Sequence, residues 1–235
     1  MMYVLQWPPT YCTINRCKPG AMERFSVHGL WPADVRGKSL NNCPGPLTDE
    51  DKKVDTMLNM DKTLEADLGV IWPNLEDGGI NRNFWKYQWE KHGLCSIQSL
   101  SLMDYFKAAV TVHHNMIAIN NKKNLLGYLI DANTRPSNVT VKKIRDINNA
   151  FHKLVGNNND IYISCTMNSN HILLHEIYLC MDATLKQFVS CPPSSNARGC
   201  IQGSNCLTKN RNFGQSFILE ELRLLIIKYR INKRN

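Results

Sequence analysis

At 235 residues, 43% apolar and 20% charged, the chain has enough length and apolar content to close one large core or two small ones. No apolar run approaches the roughly 20 residues of a membrane helix, and no repeat or low-complexity tract divides the chain, so a spanning protein and a repeat array are both excluded. Lys and Arg number 28 against 20 Asp and Glu, and the net charge of +8 attracts polyanions as readily as it keeps a surface soluble, so charge alone does not choose between those readings.

Residues 1–235 read as one domain. Its first elements are strands over 2–7 and 23–28, joined by a loop that holds Cys12 and Cys17, with Pro8-Pro9 as a stop and Trp31-Pro32 closing the second strand region. Residues 33–47 read as loop. Thr48 followed by Asp49, Glu50 and Asp51 predicts a helix start, because the hydroxyl can cap free amides and acids suit the positive helix end; Val54, Met57, Leu58, Leu64 and Leu68 give that helix its apolar face. After Trp72-Pro73 and the Gly78-Gly79 turn, a helix over 83–94 places Trp85, Trp89 and His92 on one face.

Helical patterns continue over 101–119, 122–130 and 140–155. The runs 160–167, 171–181 and 185–190 are strand-like, and the middle one is apolar at both parities, which predicts a central strand covered on both sides. A last amphipathic helix over 215–229 leads into Lys228, Arg230, Lys233 and Arg234. Strands with segregated helices indicate an α+β fold.

Nine cysteines, at 12, 17, 43, 95, 165, 180, 191, 200 and 206, indicate an oxidising compartment and a secreted, extracellular protein. There is no Cys-x-x-Cys, and the only His-x-x-x-His is His171 and His175 inside a strand-like run, so neither a metal nor another cofactor is expected. The odd count leaves one cysteine without a partner in the chain. Met1-Met2 passes at once into strand-like sequence, so the expectation is a mature chain whose signal peptide has been removed. Asn138-Val139-Thr140 is a glycosylation sequon.

Two segments carry the chemistry: Phe25-Ser26-Val27-His28-Gly29-Leu30-Trp31-Pro32, and Phe84-Trp85-Lys86-Tyr87-Gln88-Trp89-Glu90-Lys91-His92-Gly93-Leu94-Cys95. Either histidine alone reads as readily as a core residue, since tryptophan-rich surroundings are common in interiors. Together they fit one reaction. RNA carries its own nucleophile, the 2′-hydroxyl, so cleavage needs a base for that proton, an acid for the departing 5′-oxygen and a cation at the phosphorane. Imidazole suits both proton transfers because its pKa lies near working pH. Lys91, next to His92 and one turn beyond Tyr87, can supply the charge.

Both segments resemble the active-site blocks of the T-two ribonuclease family, whose first block reads His-Gly-Leu-Trp-Pro and whose second reads Phe-Trp-x-His-Glu-Trp-x-Lys-His-Gly-x-Cys. The likeness extends to Gln6-Trp7-Pro8-Pro9 with Cys12, to Trp72-Pro73-Asn74, and to Tyr178-Leu179-Cys180 through Cys191-Pro192. The resemblance implies a central antiparallel sheet with helices packed around it, and a metal-independent endonuclease of single-stranded RNA that leaves 2′,3′-cyclic phosphate ends. By position, His92 would be the general base, His28 the general acid and Lys91 the phosphorane stabiliser. Trp31 would stack on a base, and Gln6 and Phe84 match positions that line a base pocket in plant relatives; core packing is the alternative for Trp31 and Phe84.

The chain departs from the family at Tyr87 and Gln88, which stand beside the substrate phosphate where many members have His-Glu. That substitution, with a basic charge, is most similar to the pistil S-ribonucleases of plant self-incompatibility. S-like extracellular ribonucleases for phosphate recycling or defence are the alternative. A catalytically weak relative that keeps the fold for binding or storage is a third.

Four disulfides are expected: Cys12 to Cys17, which is local; Cys43 to Cys95, tying the loop after the first block to the end of the catalytic helix; Cys180 to Cys191, between neighbouring strands; and Cys165 to Cys200 or Cys206, with Cys200 preferred. The chain is expected to be a monomer that meets no membrane. Residues 33–47 are expected to vary without touching the core, and by resemblance Ala33 to Leu40, with Arg36 and Lys38 as a positive edge, would meet pollen F-box proteins.

Overall fold

The computed structural model describes residues 1–20, 22–45, 50–119, 121, 124–138, 140–168, 171–192, 200, 205 and 206. The five residues Met2–Gln6 form β1, all buried, and its two sides face different surroundings. Tyr3 and Leu5 enter the main core, whereas Met2 and Val4 join a smaller cluster with Cys180 and Cys191. β1 lies between β2 (Ser26–Trp31) and β5 (His171–Cys180), and β4 (Tyr162–Asn168) pairs on the far side of β5. The result is an antiparallel sheet of order β2-β1-β5-β4. Lys142–Lys143 (β3) and Asn205–Cys206 (β6) make a separate two-stranded ribbon.

One face of the sheet is covered by helices. These are α2 (Glu50–Met60), α3 (Lys62–Ile71), α4 (Asn81–Lys91), α5 (Leu102–Ala118), α6 (Leu126–Asp131) and α7 (Ile144–Val155). α5 supplies Tyr105, Phe106, Ala109, Val112 and Met116 to the core, and the Tyr105 hydroxyl donates to Leu30 O at 2.8 Å, which anchors the end of β2. α4 is fixed by Trp85 and Trp89, and Trp85 Nε1 donates to Trp72 O at 2.7 Å. The other face of the sheet carries Gln6, His28, Tyr162, Ser164, Glu176 and Tyr178, and there the clefts lie.

Two irregularities re-aim side chains. In the β1–β2 ladder Val4 faces Gly29 and Leu5 faces Val27, so His28 is an extra residue. That bulge lets Val27 and Leu30, an odd number of residues apart, both enter the core while His28 meets the cleft. Trp72 Nε1 donates to the carbonyl of this bulged residue at 2.9 Å. In the β4–β5 ladder Ser164 faces Glu176 and Cys165 faces Leu174, which makes His175 the extra residue there.

Several elements differ from the sequence reading. The segment after β1 is a helix, α1 (Pro8–Ile14), not a loop: proline is tolerated in a first turn, where its missing N–H has no intrahelical partner, so Pro8-Pro9 starts an element instead of stopping one. The expected single helix after Thr48 is two, because Asp61 leaves helical geometry and its side chain caps Leu64 N at 2.9 Å. β2 runs to Trp31, since pairing with Met2 extends the ladder. The helical pattern from 140 begins only at Ile144, after the short β3. Residues 185–190 form no strand, only an isolated bridge between Met181 and Phe188, as Asp182 accepts from the backbone of Lys186 and Gln187 and folds a turn. The helix expected over 215–229 lies outside the described residues.

The disulfides join Cys12 to Cys17, Cys43 to Cys95, Cys165 to Cys200, and Cys180 to Cys191. Among the described residues no helix is long and apolar enough to cross a membrane.

Candidate active site

His28 reaches a cleft from the β2 bulge; His92, at the end of α4, is 5% exposed and, like Lys91, lies outside the residues that line the two clefts, meeting His28 through Trp31. Helical spacing had placed His92 on the face of Trp85 and Trp89, but the helix stops at Lys91 and His92 takes φ −123° and ψ −46°. This turn swings its ring toward the loop after β2, where Nδ1 meets Leu40 O at 3.0 Å and Ser39 Oγ at 3.3 Å. A carbonyl only accepts, so Nδ1 carries the hydrogen and Nε2 of the neutral ring keeps a lone pair. Burial lowers the His92 pKa to about 4; Lys91 and His28 add to the lowering, and the Leu40 hydrogen bond opposes it.

His28 is held differently. Its Nδ1 lies 2.5 Å from Glu176 Oε1, and the Tyr178 hydroxyl donates to Glu176 Oε2 at 2.7 Å. Burial alone would raise the Glu176 carboxyl, but the hydrogen bond and charge of His28, with Tyr178 and His175, outweigh it and hold the pKa below the ordinary value. With Nδ1–H on the carboxylate, Nε2 is the nitrogen left to exchange a proton with a ligand.

Trp31 stands between the histidines. Its ring stacks on His92 at 4.7 Å and meets His28 edge-on at 4.9 Å, and its Nε1 donates to Gln88 Oε1 at 2.9 Å. The indole folds back over Gly29, where any β-carbon would collide with it, which is why the residue after His28 has none.

Two clefts flank this group. One, of about 440 Å³, is lined by Gln6, Tyr11, His28, Asn74, Phe84, Tyr87 and Gln88 among others; the second, of about 370 Å³, has Trp31, Lys38, Tyr162, His175, Glu176 and Tyr178 in its walls. The structure therefore brings Gln6, His28, Phe84, Tyr87 and Gln88 into one cleft and sets Trp31 in its neighbour. Lys91 Nζ donates to the Tyr87 hydroxyl at 2.5 Å and lies 4.9 Å from the centre of that ring, so Tyr87 holds the cation at the rim. Asn138 lines neither cleft.

At the two departures the geometry is conservative. Gln88 is 1% exposed and keeps a hydrogen-bond acceptor on Trp31. Gln88→Glu preserves that acceptor and leaves Lys91 in place, so kcat/KM on RNA is expected to change by less than about tenfold. A thousandfold gain in a cleavage assay would show a crippled natural site.

The loop after β2 does not stand clear of the site, contrary to the sequence reading. Leu40 N donates to Pro32 O, Asn42 N donates to Lys91 O, Leu40 O binds His92, and Gly37 to Ser39 line the second cleft, while Val35 is 93% exposed. Sequence reasoning also missed Glu176, Tyr178 and the wall formed by Asn74, Leu75 and Glu76. The available signal for Glu176 was the one carboxylate in a strand-like run, beside His175 and among Leu173, Leu174, Ile177 and Leu179, a position that requires a partner.

Comparison with known proteins gives this geometry its context. Residues 1–191 match the Ribonuclease T2 family. Intracellular ribonuclease LX of Solanum lycopersicum is 34% identical over 199 residues, covering 81% of this chain and 76% of that protein. Ribonuclease S-5 of Pyrus pyrifolia is 30% identical over 193 residues, covering 81% and 78%. Among solved structures, RNase NT in complex with 5′-AMP superposes with a TM-score of 0.68 at 31% identity, covering 88% of this chain and 96% of that one. The chain belongs to the Ribonuclease T2 family and is an endoribonuclease.

Proposed function

We propose that the enzyme cleaves single-stranded RNA by metal-independent transphosphorylation, with His92 as general base, His28 as general acid and Lys91 stabilising the phosphorane. The observation that carries this reading is the unequal tethering of the two rings. His92, neutral above about pH 4 and hydrogen-bonded through Nδ1 to a carbonyl, offers a lone pair at Nε2 for the 2′-hydroxyl proton. His28, with Nδ1 on a carboxylate, offers Nε2 for proton delivery to the 5′-oxygen. The 2′-oxygen attacks phosphorus, the P–O5′ bond breaks, and a 2′,3′-cyclic phosphate remains. The cleft with Gln6 and Phe84 would hold one base, and Trp31 would stack on another once its histidine contacts are shared with substrate. Digesting RNA in EDTA and identifying the first product ends tests the reading. Cyclic phosphates with undiminished rate are expected, and linear ends or chelator sensitivity would overturn it.

For the biological setting we propose a secreted, monomeric pistil S-ribonuclease, glycosylated at Asn138, that meets pollen F-box proteins through Ala33 to Leu40, with Arg36 and Lys38 as the positive edge. The disulfides, the net charge of +8 and the similarity to Ribonuclease S-5 support this. The similarity to a tomato ribonuclease named intracellular supports an S-like role as strongly, and style-specific expression separates the two.

A further inference from the structure

A general acid has to present one protonated ring nitrogen to the departing oxygen, and an imidazole has rotamers that fail to do so. His28 is restrained from outside its own strand. Glu176 sits opposite Gln6 in the β1–β5 ladder, and Gln6 sits opposite Ser26 in the β1–β2 ladder, so the carboxylate reaches His28 across β1. It is 5% exposed and fully engaged: Oε1 on His28 Nδ1, Oε2 on the Tyr178 hydroxyl, with His175 Nδ1 4.0 Å from Oε2. The titratable groups around it are His28 from β2, His175 and Tyr178 from β5 and Tyr162 from β4. His175 is lowered by burial first, which leaves His28 as the cationic partner when that ring is protonated.

We propose that Glu176, braced by Tyr178, is the positioning residue for His28, holding the ring so that Nδ1–H stays on the carboxylate and Nε2 faces the leaving oxygen. This rests on reading His28 as the acid. In the step itself the imidazolium loses its Nε2 proton to O5′ as the P–O5′ bond breaks, keeps its Nδ1 proton, and ends neutral with the hydrogen bond to Glu176 intact. The carboxylate on this ring comes from the sheet, while α4 contributes the Phe84 ring, 6.3 Å from that of His28, and its Gln88 amide is occupied by Trp31.

The test compares two substrates: a dinucleoside phosphate, whose alkoxide needs a proton to leave, and a uridine 3′-(4-nitrophenyl phosphate), whose phenolate does not. For Glu176→Gln, kcat on the dinucleotide should fall roughly 10- to 100-fold with KM nearly unchanged, and the nitrophenyl ester should be cleaved within about threefold of wild type. Tyr178→Phe should show the same pattern at a loss of about three- to tenfold, and carries the test if Glu176→Gln does not fold. Equal losses on both substrates, or no loss on the dinucleotide, would overturn the proposal. His28→Ala separates the two layers: if the nitrophenyl ester does not rescue it, the acid reading of His28 fails, whereas rescue of His28→Ala without rescue of Glu176→Gln defeats only the positioning role.

Discussion

His28→Ala and His92→Ala each reduce RNA cleavage at least about a thousandfold, measured as kcat/KM on a dinucleoside phosphate with EDTA present. Each deletion removes one proton transfer, typically worth about 10² to 10⁴-fold, and leaves Lys91 and the clefts to bind without moving a proton. Each ring has a partner that its deletion strands: His28 bonds the buried Glu176 carboxylate, and His92, 5% exposed, stacks on Trp31 and bonds Leu40 O. Rates are therefore compared well below each variant's melting temperature, where its circular dichroism matches wild type, so that the loss reads as chemistry. Wild type adds a signature in pH. His92 must be neutral to act as base, and burial lowers it to about 4, so kcat/KM should rise through about pH 4 and this limb should vanish in His92→Ala. A variant of either histidine that kept a tenth of the wild-type rate would refute the assignment.

The second large effect concerns Cys43–Cys95, which closes a loop of 52 residues. Loop-closure entropy assigns such a crosslink about 4 kcal/mol, and the double change Cys43→Ser with Cys95→Ser should lower the melting temperature by roughly 10 °C. The catalytic consequence comes from what lies beside it. Asn42 N donates to Lys91 O, and Leu40 O orients His92, both within a few residues of Cys43. Freed from the turn that follows α4, that segment should let His92 turn, and kcat should fall roughly tenfold even well below the new melting point. Calorimetry and kinetics on the same sample decide it. A variant less stable but equally active would show that the crosslink serves folding alone.

What could be read from the sequence, and what could not, follows from the range of each signal. His28 and His92 stood out because each sits in a dense local block, and α5 and α7 because apolar spacing at helical period is local too. α1 was misread because a Pro-Pro pair marks the start of a helix as well as the end of a strand, and only the packing of Pro8, Pro9 and Thr10 decides which. The bulge at His28 was invisible because it is defined by the partner strand: Val27 and Leu30 cannot share a face until Val4 and Leu5 set the register. Glu176 was passed over for the same reason. Its partner is 148 positions away in sequence, and the histidine beside it, His175, is not the one that its Oε1 bonds. The end of α4 was placed three residues late because His92 fits helical spacing, yet a carbonyl from a loop more than 50 positions earlier draws the ring away.

Trp31 gives the site a property of a different kind. Trp7, Trp72, Trp85 and Trp89 are at most 1% exposed, whereas Trp31 is partly exposed, in the wall of a cleft, stacked on one histidine and edge-on to another. The red edge of the protein's emission should therefore come from this one indole, and an imidazolium stacked on it should quench that emission. The enzyme carries its own optical probe at the point of chemistry: a pH titration of red-edge intensity reports the charge of the two rings, and the same signal follows a nucleotide arriving against the indole, with no label attached.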